Sequence, residues 1–248
     1  MLVLENVHKS LGGREILRGI HLEMRAGETV VIIGQSGQGK SVTLKNIVGL
    51  LRPDKGRIII NGEDVTHFSE RQYAEVRKQF GVLFQSGALI NWLNIEDNVA
   101  LPLREHTTLS APEIMAQVEE KLKLLNLLDA RHKMPSEISG GMRKRAGLAR
   151  AIIWDPKIIL YDEPTSGLDP VMSNQINELI LRMQRIFGVT SIVVTHDMGS
   201  AYMIADRIAM LFQGRIIEIG TKEEIQKSTN PIVRQFIEGR TSGPITSQ

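Results

Sequence analysis

The sequence predicts an α/β fold with a parallel sheet core, an antiparallel β-subdomain at the amino end and an inserted helical lobe. Three observations predict it. Short runs of Val, Ile and Leu, typical of strands buried on both faces, alternate with helical stretches. The amino end instead shows short alternating segments broken by glycines. Between Gln85 and about Pro156 the strand pattern disappears and the sequence becomes helical.

The core strands are predicted where apolar residues cluster. These clusters are Val30–Ile33, Arg57–Ile60, Val82–Phe84, Ile158–Tyr161, Ser191–Val194 and Ile208–Leu211. The helical stretches between them include Lys40–Val48, Val171–Phe187 and Met198–Ala205. Strands that alternate with helices indicate parallel pairing through crossover connections.

The remaining segments complete the predicted domain organisation. Leu2–Val7 and Ile20–Met24 are predicted antiparallel strands, and the Ser110/Glu113 capping-box spacing predicts a helix that runs to Leu128. We therefore expect a core over residues 1–85 and 157–227 and a helical lobe over residues 86–156. The tail, residues 228–248, ends in a stretch with few apolar residues. It is either a flexible end or a segment that a neighbouring molecule orders.

Composition excludes several classes of function. The 248 residues include 30 basic and 28 acidic ones, so no strong field attracts nucleic acid or an anionic bilayer. The absence of cysteine excludes disulfides and thiolate chemistry, and it fits a reducing compartment. Met1–Glu5 lacks the features of an export signal, and no apolar run approaches the roughly 20 residues that span a bilayer. We expect a cytoplasmic protein that reaches a membrane only through a partner.

One segment matches the phosphate-binding pattern G-x-x-x-x-G-K-[ST], directly after a predicted strand and before a predicted helix. With the following valine it supplies the predicted nucleotide contacts Gly34, Gln35, Ser36, Gly37, Gln38, Gly39, Lys40, Ser41 and Val42. The glycines let backbone N–H groups point at phosphate oxygens, and the helix adds its positive end. We expect Lys40 to bridge the β- and γ-phosphates of ATP and Ser41 to ligate Mg²⁺.

Two carboxylates and a histidine follow other predicted core strands. Asp162 and Glu163 come after Ile158–Tyr161, at the strand end where α/β sheets bind ligands. Asp162 suits an indirect or water-mediated contact to Mg²⁺, and Glu163 suits the base that polarises the attacking water. His196 follows a further strand and could bind the γ-phosphate or position water. Taken alone, residues of these types at a strand end more often have a structural role.

A resemblance to a known family joins these motifs. Ile138–Met142 resembles LSGGQ, the signature of ABC transporter ATPases, and it lies about 20 residues before Asp162, as in that family. Ser139 can cap the helix that follows, while Gly140 and Gly141 leave its first N–H groups accessible to a phosphate. The other landmarks of the family follow in order, namely Gln85 for the Q-loop, Ser166–Asp169 for the D-loop and Thr195–Asp197 for the H-loop.

The resemblance covers Leu2–Lys227 and implies a P-loop ATPase domain over residues 1–240. It implies roles for Gln85 in sensing Mg²⁺, for Asp169 and His196 at the nucleotide, and for Glu163 in catalysis. It also implies a homodimer in which the phosphate loop of one chain and Ser139–Met142 of the other clamp each ATP. Closing and reopening of this dimer would drive a permease docked near the Q-loop.

Two positions depart from the family pattern. Leu11 stands where an aromatic side chain usually stacks on adenine, and it lacks the extra stacking energy of about 0.5–1.5 kcal/mol. Base selectivity is therefore looser, or another segment such as the partner's tail completes the site. Met142 replaces the signature glutamine but keeps the backbone donors.

The second departure indicates a branch of the family. Ser139–Ala151, Phe84–Leu89 and Asn98–Leu103 resemble lipid-trafficking ATPases of Gram-negative envelopes, the MlaF type. This resemblance implies phospholipid cargo, a position at the cytoplasmic face of the inner membrane and no nucleic-acid partner. The implied partners are an MlaE-type permease, an MCE-domain protein of the MlaD type and a STAS-domain regulator of the MlaB type. Another importer or exporter, or a non-transport ABC ATPase such as an iron–sulfur assembly scaffold, stays an alternative.

Overall fold

The structure, a computed structural model, describes residues 2–246. Its strands are β1 Leu2–Leu11, β2 Arg14–Met24, β3 Thr29–Ile33, β4 Lys55–Ile60, β5 Glu63–Asp64, β6 Phe80–Leu83, β7 Ile158–Asp162, β8 Thr190–Thr195, β9 Arg207–Phe212 and β10 Arg215–Thr221. Its α-helices are α1 Lys40–Ile47, α2 Glu70–Arg77, α3 Ile95–His106, α4 Ala111–Leu124, α5 Gly140–Ala151, α6 Pro170–Phe187, α7 Met198–Ile204, α8 Lys222–Gln226 and α9 Pro231–Glu238. The chain divides into two compact units, Met1–Tyr73 with Ile192–Gln248, and Ala74–Ser191.

The first unit contains an antiparallel sheet with the strand order β2-β1-β4-β5. Leu2 is opposite Met24 on one side and Ile60 on the other, and all three side chains are buried. The antiparallel strands predicted at the amino end are therefore confirmed, although both are longer than predicted. The prediction of Arg57–Ile60 as a strand of the parallel core is wrong, because this strand pairs antiparallel with β1 and its residues are not buried continuously as those of β3 are.

Four more strands of the first unit lie side by side in the order β10-β9-β3-β8. β3 and β9 are parallel, with Val30 opposite Arg207 and Ile33 opposite Met210. Every residue of β3 and β8 is buried, as the apolar clusters predict for strands covered on both faces. β10 is antiparallel to β9, and the apolar clusters do not predict it, since all but one of its residues are half-buried or exposed.

The second unit contains the parallel pair β6 and β7 and the helices α3, α4 and α5. These three helices occupy the stretch where the sequence predicts a helical lobe. Val99, Val118 and Leu148, one from each helix, are fully buried. The predicted capping box at Ser110 is present, and α4 ends at Leu124, four residues before the predicted Leu128. Within residues 2–246, no helix combines the length and the apolar character that crossing a bilayer requires.

A buried asparagine organises the segment that leads into α3. Asn98 is fully buried, and its Oδ1 accepts a hydrogen bond of 2.7 Å from the N–H of Ile90. Its Nδ2 donates to the carbonyls of Ile90, Leu93 and Asn94 at 3.0, 2.9 and 3.0 Å. One amide therefore satisfies four backbone groups in a stretch that forms neither helix nor strand.

We predict that Asn98→Ala lowers the free energy of unfolding by about 2 kcal/mol, because the N–H of Ile90 and the carbonyl of Leu93 would lose the partner that Asn98 provides, whereas the carbonyls of Ile90 and Asn94 keep backbone donors. Urea denaturation followed by circular dichroism measures the change. Asn91→Ala, at an exposed position of the same segment, is the matched control and should change stability little. Equal denaturation midpoints for the two variants would contradict the assigned role.

Candidate nucleotide-binding site

The phosphate loop follows β3 and leads into α1, as the motif predicts. Gly34 has φ 154°, and a Cβ atom placed on it would lie 2.4 Å from the carbonyl oxygen of Leu211. Gly39 has φ 108°, and its Cβ would lie 2.8 Å from a methyl carbon of Leu17. Both positions therefore exclude a side chain, which explains why the loop needs glycine at these two places.

The Lys40 ammonium lies inside this loop. The side chain is buried, and Nζ donates hydrogen bonds to the carbonyls of Gly34 at 2.7 Å and Gln35 at 3.1 Å. Gln35, Ser36 and Gly37 are exposed at the tip of the loop. Ser41 and Val42 are half-buried in the first turn of α1, whose N-terminal position is occupied by Gly39. A cation, accessible loop residues and a helix N-terminus are the groups that a triphosphate requires.

Two further predicted residues lie in the first unit. Leu11, at the end of β1, is opposite Arg14 across a turn of two glycines, and its side chain is 39% exposed. His196 directly follows β8 and is exposed. The next residue, Asp197, caps α7 by accepting a hydrogen bond from the N–H of Gly199 at 2.9 Å.

The signature segment in the second unit starts α5. Ser139 is the N-cap, and its Oγ accepts a hydrogen bond of 3.2 Å from the N–H of Met142. A Cβ on Gly140 would lie 3.3 Å from Leu168, and one on Gly141 would lie 2.2 Å from the end of the Met172 side chain. The predicted cap is present, and the two glycines at the first positions of the helix allow the Leu168 and Met172 side chains to pack against it.

The acidic pair lies at the end of β7. Asp162 is half-buried, and the Glu163 side chain is only 9% exposed. Glu163 has φ 47°, a left-handed conformation that is strained for a residue with a Cβ. Strained backbone of this kind persists where surrounding contacts hold it in place.

One of these contacts comes from Lys144, a residue outside the predicted site. Its Nζ donates a hydrogen bond of 3.0 Å to the carbonyl of Glu163, and its side chain is buried. Burial lowers the pKa of Lys144 to about 8, although the charges of Glu163 and Asp162 act to raise it. No pattern in the sequence distinguishes this lysine from the neighbouring basic residues of α5.

Gln85 and Asp169 are the remaining predicted residues. Gln85 follows β6 closely and is exposed, and its Nε2 donates a hydrogen bond of 3.2 Å to Oγ of Ser166. Asp169 is the N-cap of α6, because its Oδ1 accepts hydrogen bonds from Val171 and Met172 at 2.9 and 3.0 Å. The structure thus joins the predicted Q-loop to the predicted D-loop, and it gives Asp169 a structural role as a helix cap.

The residues predicted to hold Mg²⁺ fit its chemistry. Ser41, Gln85 and Asp162 offer a hydroxyl, an amide and a carboxylate oxygen, and oxygen donors are the ligands that Mg²⁺ prefers. ATP fits the phosphate loop for the separate reason that Lys40 and the N-terminus of α1 supply positive charge there.

Comparison with known proteins gives consistent results. The profile of the ABC transporter family matches residues 17–166. A probable ribonucleotide transport ATP-binding protein of Mycobacterium leprae is 47% identical over 242 residues, covering 98% of this chain and 70% of that protein. The intermembrane phospholipid transport ATP-binding protein MlaF of Escherichia coli is 41% identical over 242 residues, covering 98% and 90%.

Solved structures with the same fold include ATP-binding cassettes. A dimeric cassette in a post-hydrolysis state, bound to ADP and Pi, is similar with a TM-score of 0.82 and 32% identity, covering 89% of this chain and 98% of that one. The CbiO1 subunit of a transporter complex from Clostridium perfringens is similar with a TM-score of 0.84 and 28% identity, covering 97% and 95%.

The depressed pKa of Lys144 predicts a pH dependence of stability. Between about pH 8 and the unfolded pKa of 10.5, the unfolded chain binds more protons at this lysine than the folded chain does. Lys144 therefore makes the free energy of unfolding rise with pH in this window. We expect Lys144→Met to show a smaller rise than the wild type in urea titrations at about pH 8, 9 and 10.

The control for this measurement is Lys78→Met, which changes a side chain that is 48% exposed. It should keep the pH dependence of the wild type. An unchanged slope in Lys144→Met would show that the lysine is not held in the buried contact with Glu163.

Proposed function

The chain belongs to the ABC transporter family of ATP-binding proteins, and from this premise we propose that it hydrolyses ATP to move phospholipid between the inner and outer membranes through a separate permease. The ATPase assignment rests on the phosphate loop. The Lys40 ammonium lies inside this loop and donates hydrogen bonds to the carbonyls of Gly34 and Gln35, where the triphosphate would bind. Identity to MlaF over nearly the whole chain supports the cargo.

Each ATP is bound, in this proposal, by two copies of the chain. The phosphate loop of one copy holds the triphosphate, and Ser139–Met142 of the second copy donates backbone N–H groups to the γ-phosphate from the opposite side. The dimeric arrangement of the similar cassette that contains ADP and Pi supports this arrangement. Because one chain carries both segments, a homodimer has two equivalent sites.

The remaining residues act on the chemistry of hydrolysis. Glu163 is the proposed base for the attacking water, and His196 contacts the γ-phosphate. Ser41, Gln85 and Asp162 would hold Mg²⁺ directly or through water, and the ion would supply positive charge that neutralises the phosphates. The hydrogen bond between Gln85 and Ser166 gives the Q-loop a direct connection to the segment that follows Glu163.

The permease, a periplasmic MCE-domain protein and the STAS-domain regulator are the proposed partners, and the chain itself is proposed to lie at the cytoplasmic face of the inner membrane. A specific observation favours a second cargo, because the mycobacterial relatives are described as probable ribonucleotide transport proteins.

One experiment distinguishes phospholipid from ribonucleotide as the cargo. The tagged chain is purified with its partners from detergent-solubilised membranes, and both proteins and small molecules are identified by mass spectrometry. An MlaE-type permease with bound phospholipid supports the proposal, whereas a different permease with bound ribonucleotide favours the second cargo.

We predict that Lys40→Ala abolishes ATP binding, because it removes the positive charge buried in the phosphate loop. Titration with a fluorescent ATP analogue measures the affinity. Lys45→Ala, on the exposed side of the same helix, is the matched control and should bind like the wild type. Wild-type affinity in Lys40→Ala would contradict the assignment of the loop.

We predict that Glu163→Gln stops phosphate release but accumulates an ATP-bound dimer, because the base is lost while the phosphate loop is unchanged. Size-exclusion chromatography with ATP and a phosphate-release assay measure the two effects. Adding Gly140→Asp to this variant places a negative charge at the start of α5, where the γ-phosphate held by the other copy is proposed to bind. Because the two negative charges repel each other, the double variant should stay monomeric. Full turnover in Glu163→Gln would rule out its role as the base.

A further inference from the structure

The C-terminal segment of the first unit, residues 240–246, is fastened to the preceding helix by one buried amide. Gln235 of α9 is only 4% exposed, and its Oε1 accepts a hydrogen bond of 2.8 Å from the N–H of Ile245. Its Nε2 donates to the carbonyl of Arg240 and to Oγ1 of Thr246, both at 3.3 Å. The whole carboxamide is therefore used to hold this segment, which we call the C-terminal hook.

Glycines allow the hook to turn back towards the helix. Gly239 ends α9 in the left-handed conformation with φ 64°. Gly243 has φ 148°, and a Cβ placed on it would lie 2.5 Å from Oε1 of Gln235. Both the reversal and the close approach therefore depend on residues without side chains.

The hook reaches a pocket beside the phosphate loop. Ile245 lines a cavity of about 320 Å³, together with Gln35, Gly37 and Gln38 of the phosphate loop and Arg14 and Ile16 of β2. This volume lies at the lower end of the range for small-molecule sites, so it can accommodate part of a nucleotide. Ile16, Phe212 and Ile245 provide the large apolar side chains of the lining, and the other lining residues are polar, charged or glycine.

The position of the pocket indicates which part of ATP it receives. Arg14 is opposite Leu11 across the β1–β2 turn, and Leu11 occupies the position expected to contact adenine. In the proposed function the loop backbone and Lys40 bind the phosphates, so we infer that the part of ATP that extends towards Arg14 and Ile16 is the nucleoside. An aliphatic side chain at this place can pack against the ribose and the face of the base.

We propose that Ile245 of the same chain packs against the ribose and base of bound ATP, and that Gln235 holds it in position. This inference rests on the proposed function, because it requires ATP in the phosphate loop. The hook then supplies apolar contact at a site where Leu11 offers less than an aromatic residue would. The chain's own tail, rather than that of a partner, completes the nucleotide pocket.

Isothermal titration of the full-length chain with ATP and with inorganic tripolyphosphate tests this proposal. In Ile245→Ala we expect ATP affinity to fall by about tenfold, which is the loss of one well-packed aliphatic contact, and tripolyphosphate affinity to stay unchanged. Gln235→Ala should show the same pattern, since it releases the hook. Ser242→Ala, at an exposed position of the hook, is the matched control and should bind both ligands like the wild type.

The outcomes separate this inference from the proposed function. Wild-type ATP affinity in Ile245→Ala, or an equal loss for ATP and tripolyphosphate, would overturn the contact with the nucleoside while the ATPase assignment stands. A wild-type chain that binds neither ligand would overturn both. If Gln235→Ala fails to fold, Ile245→Ala alone decides, because its half-exposed side chain contributes little to the core.

Discussion

The close approach of Gly34 to the carbonyl of Leu211 determines where the phosphate loop begins. β3 is buried along its whole length and pairs in parallel with β9, so the chain leaves the sheet at a fixed point. Only a glycine fits between the two strands there, and Gly39 meets the same requirement at the start of α1. Because both ends of the loop are fixed, the Lys40 ammonium and the N-terminus of α1 are held in place before any ligand binds.

In the second unit, the helix α5 contacts several of the predicted site segments. Ser139 starts it, Lys144 on its buried side holds the backbone of Glu163, and Arg150 near its end donates a hydrogen bond of 3.2 Å to the carbonyl of Gly87. Gly147 allows α5 to pack directly against Gly87, since a Cβ there would lie 2.8 Å from the same carbonyl. One helix therefore contacts the backbone of Glu163 through Lys144 and the backbone of Gly87, two residues after Gln85, and it begins at the predicted signature.

The sequence predicts the elements whose signal is local, and it misses the contacts that depend on three-dimensional proximity. The core strands, the phosphate loop and the cap at Ser139 follow from apolar clusters, motif spacing and capping preferences. Lys144, Asn98 and Gln235 are different, because each binds backbone groups that no periodic pattern places beside it. The helix α9 was also missed, although Asn230 followed by a proline is a recognisable helix start. Ser228 and Thr229, which precede Asn230, are residues typical of a loop, so this stretch does not stand out as the start of a helix.

With Glu163 as the proposed base, its left-handed backbone sets stability and activity against each other at one position. Such a conformation costs of the order of 1–3 kcal/mol for a residue with a Cβ, and glycine adopts it without that cost. Selection for thermal robustness alone would therefore favour replacing this glutamate, whereas selection for turnover would retain it. Consensus or laboratory evolution that rewards only heat tolerance would drift towards robust but inactive chains at this position.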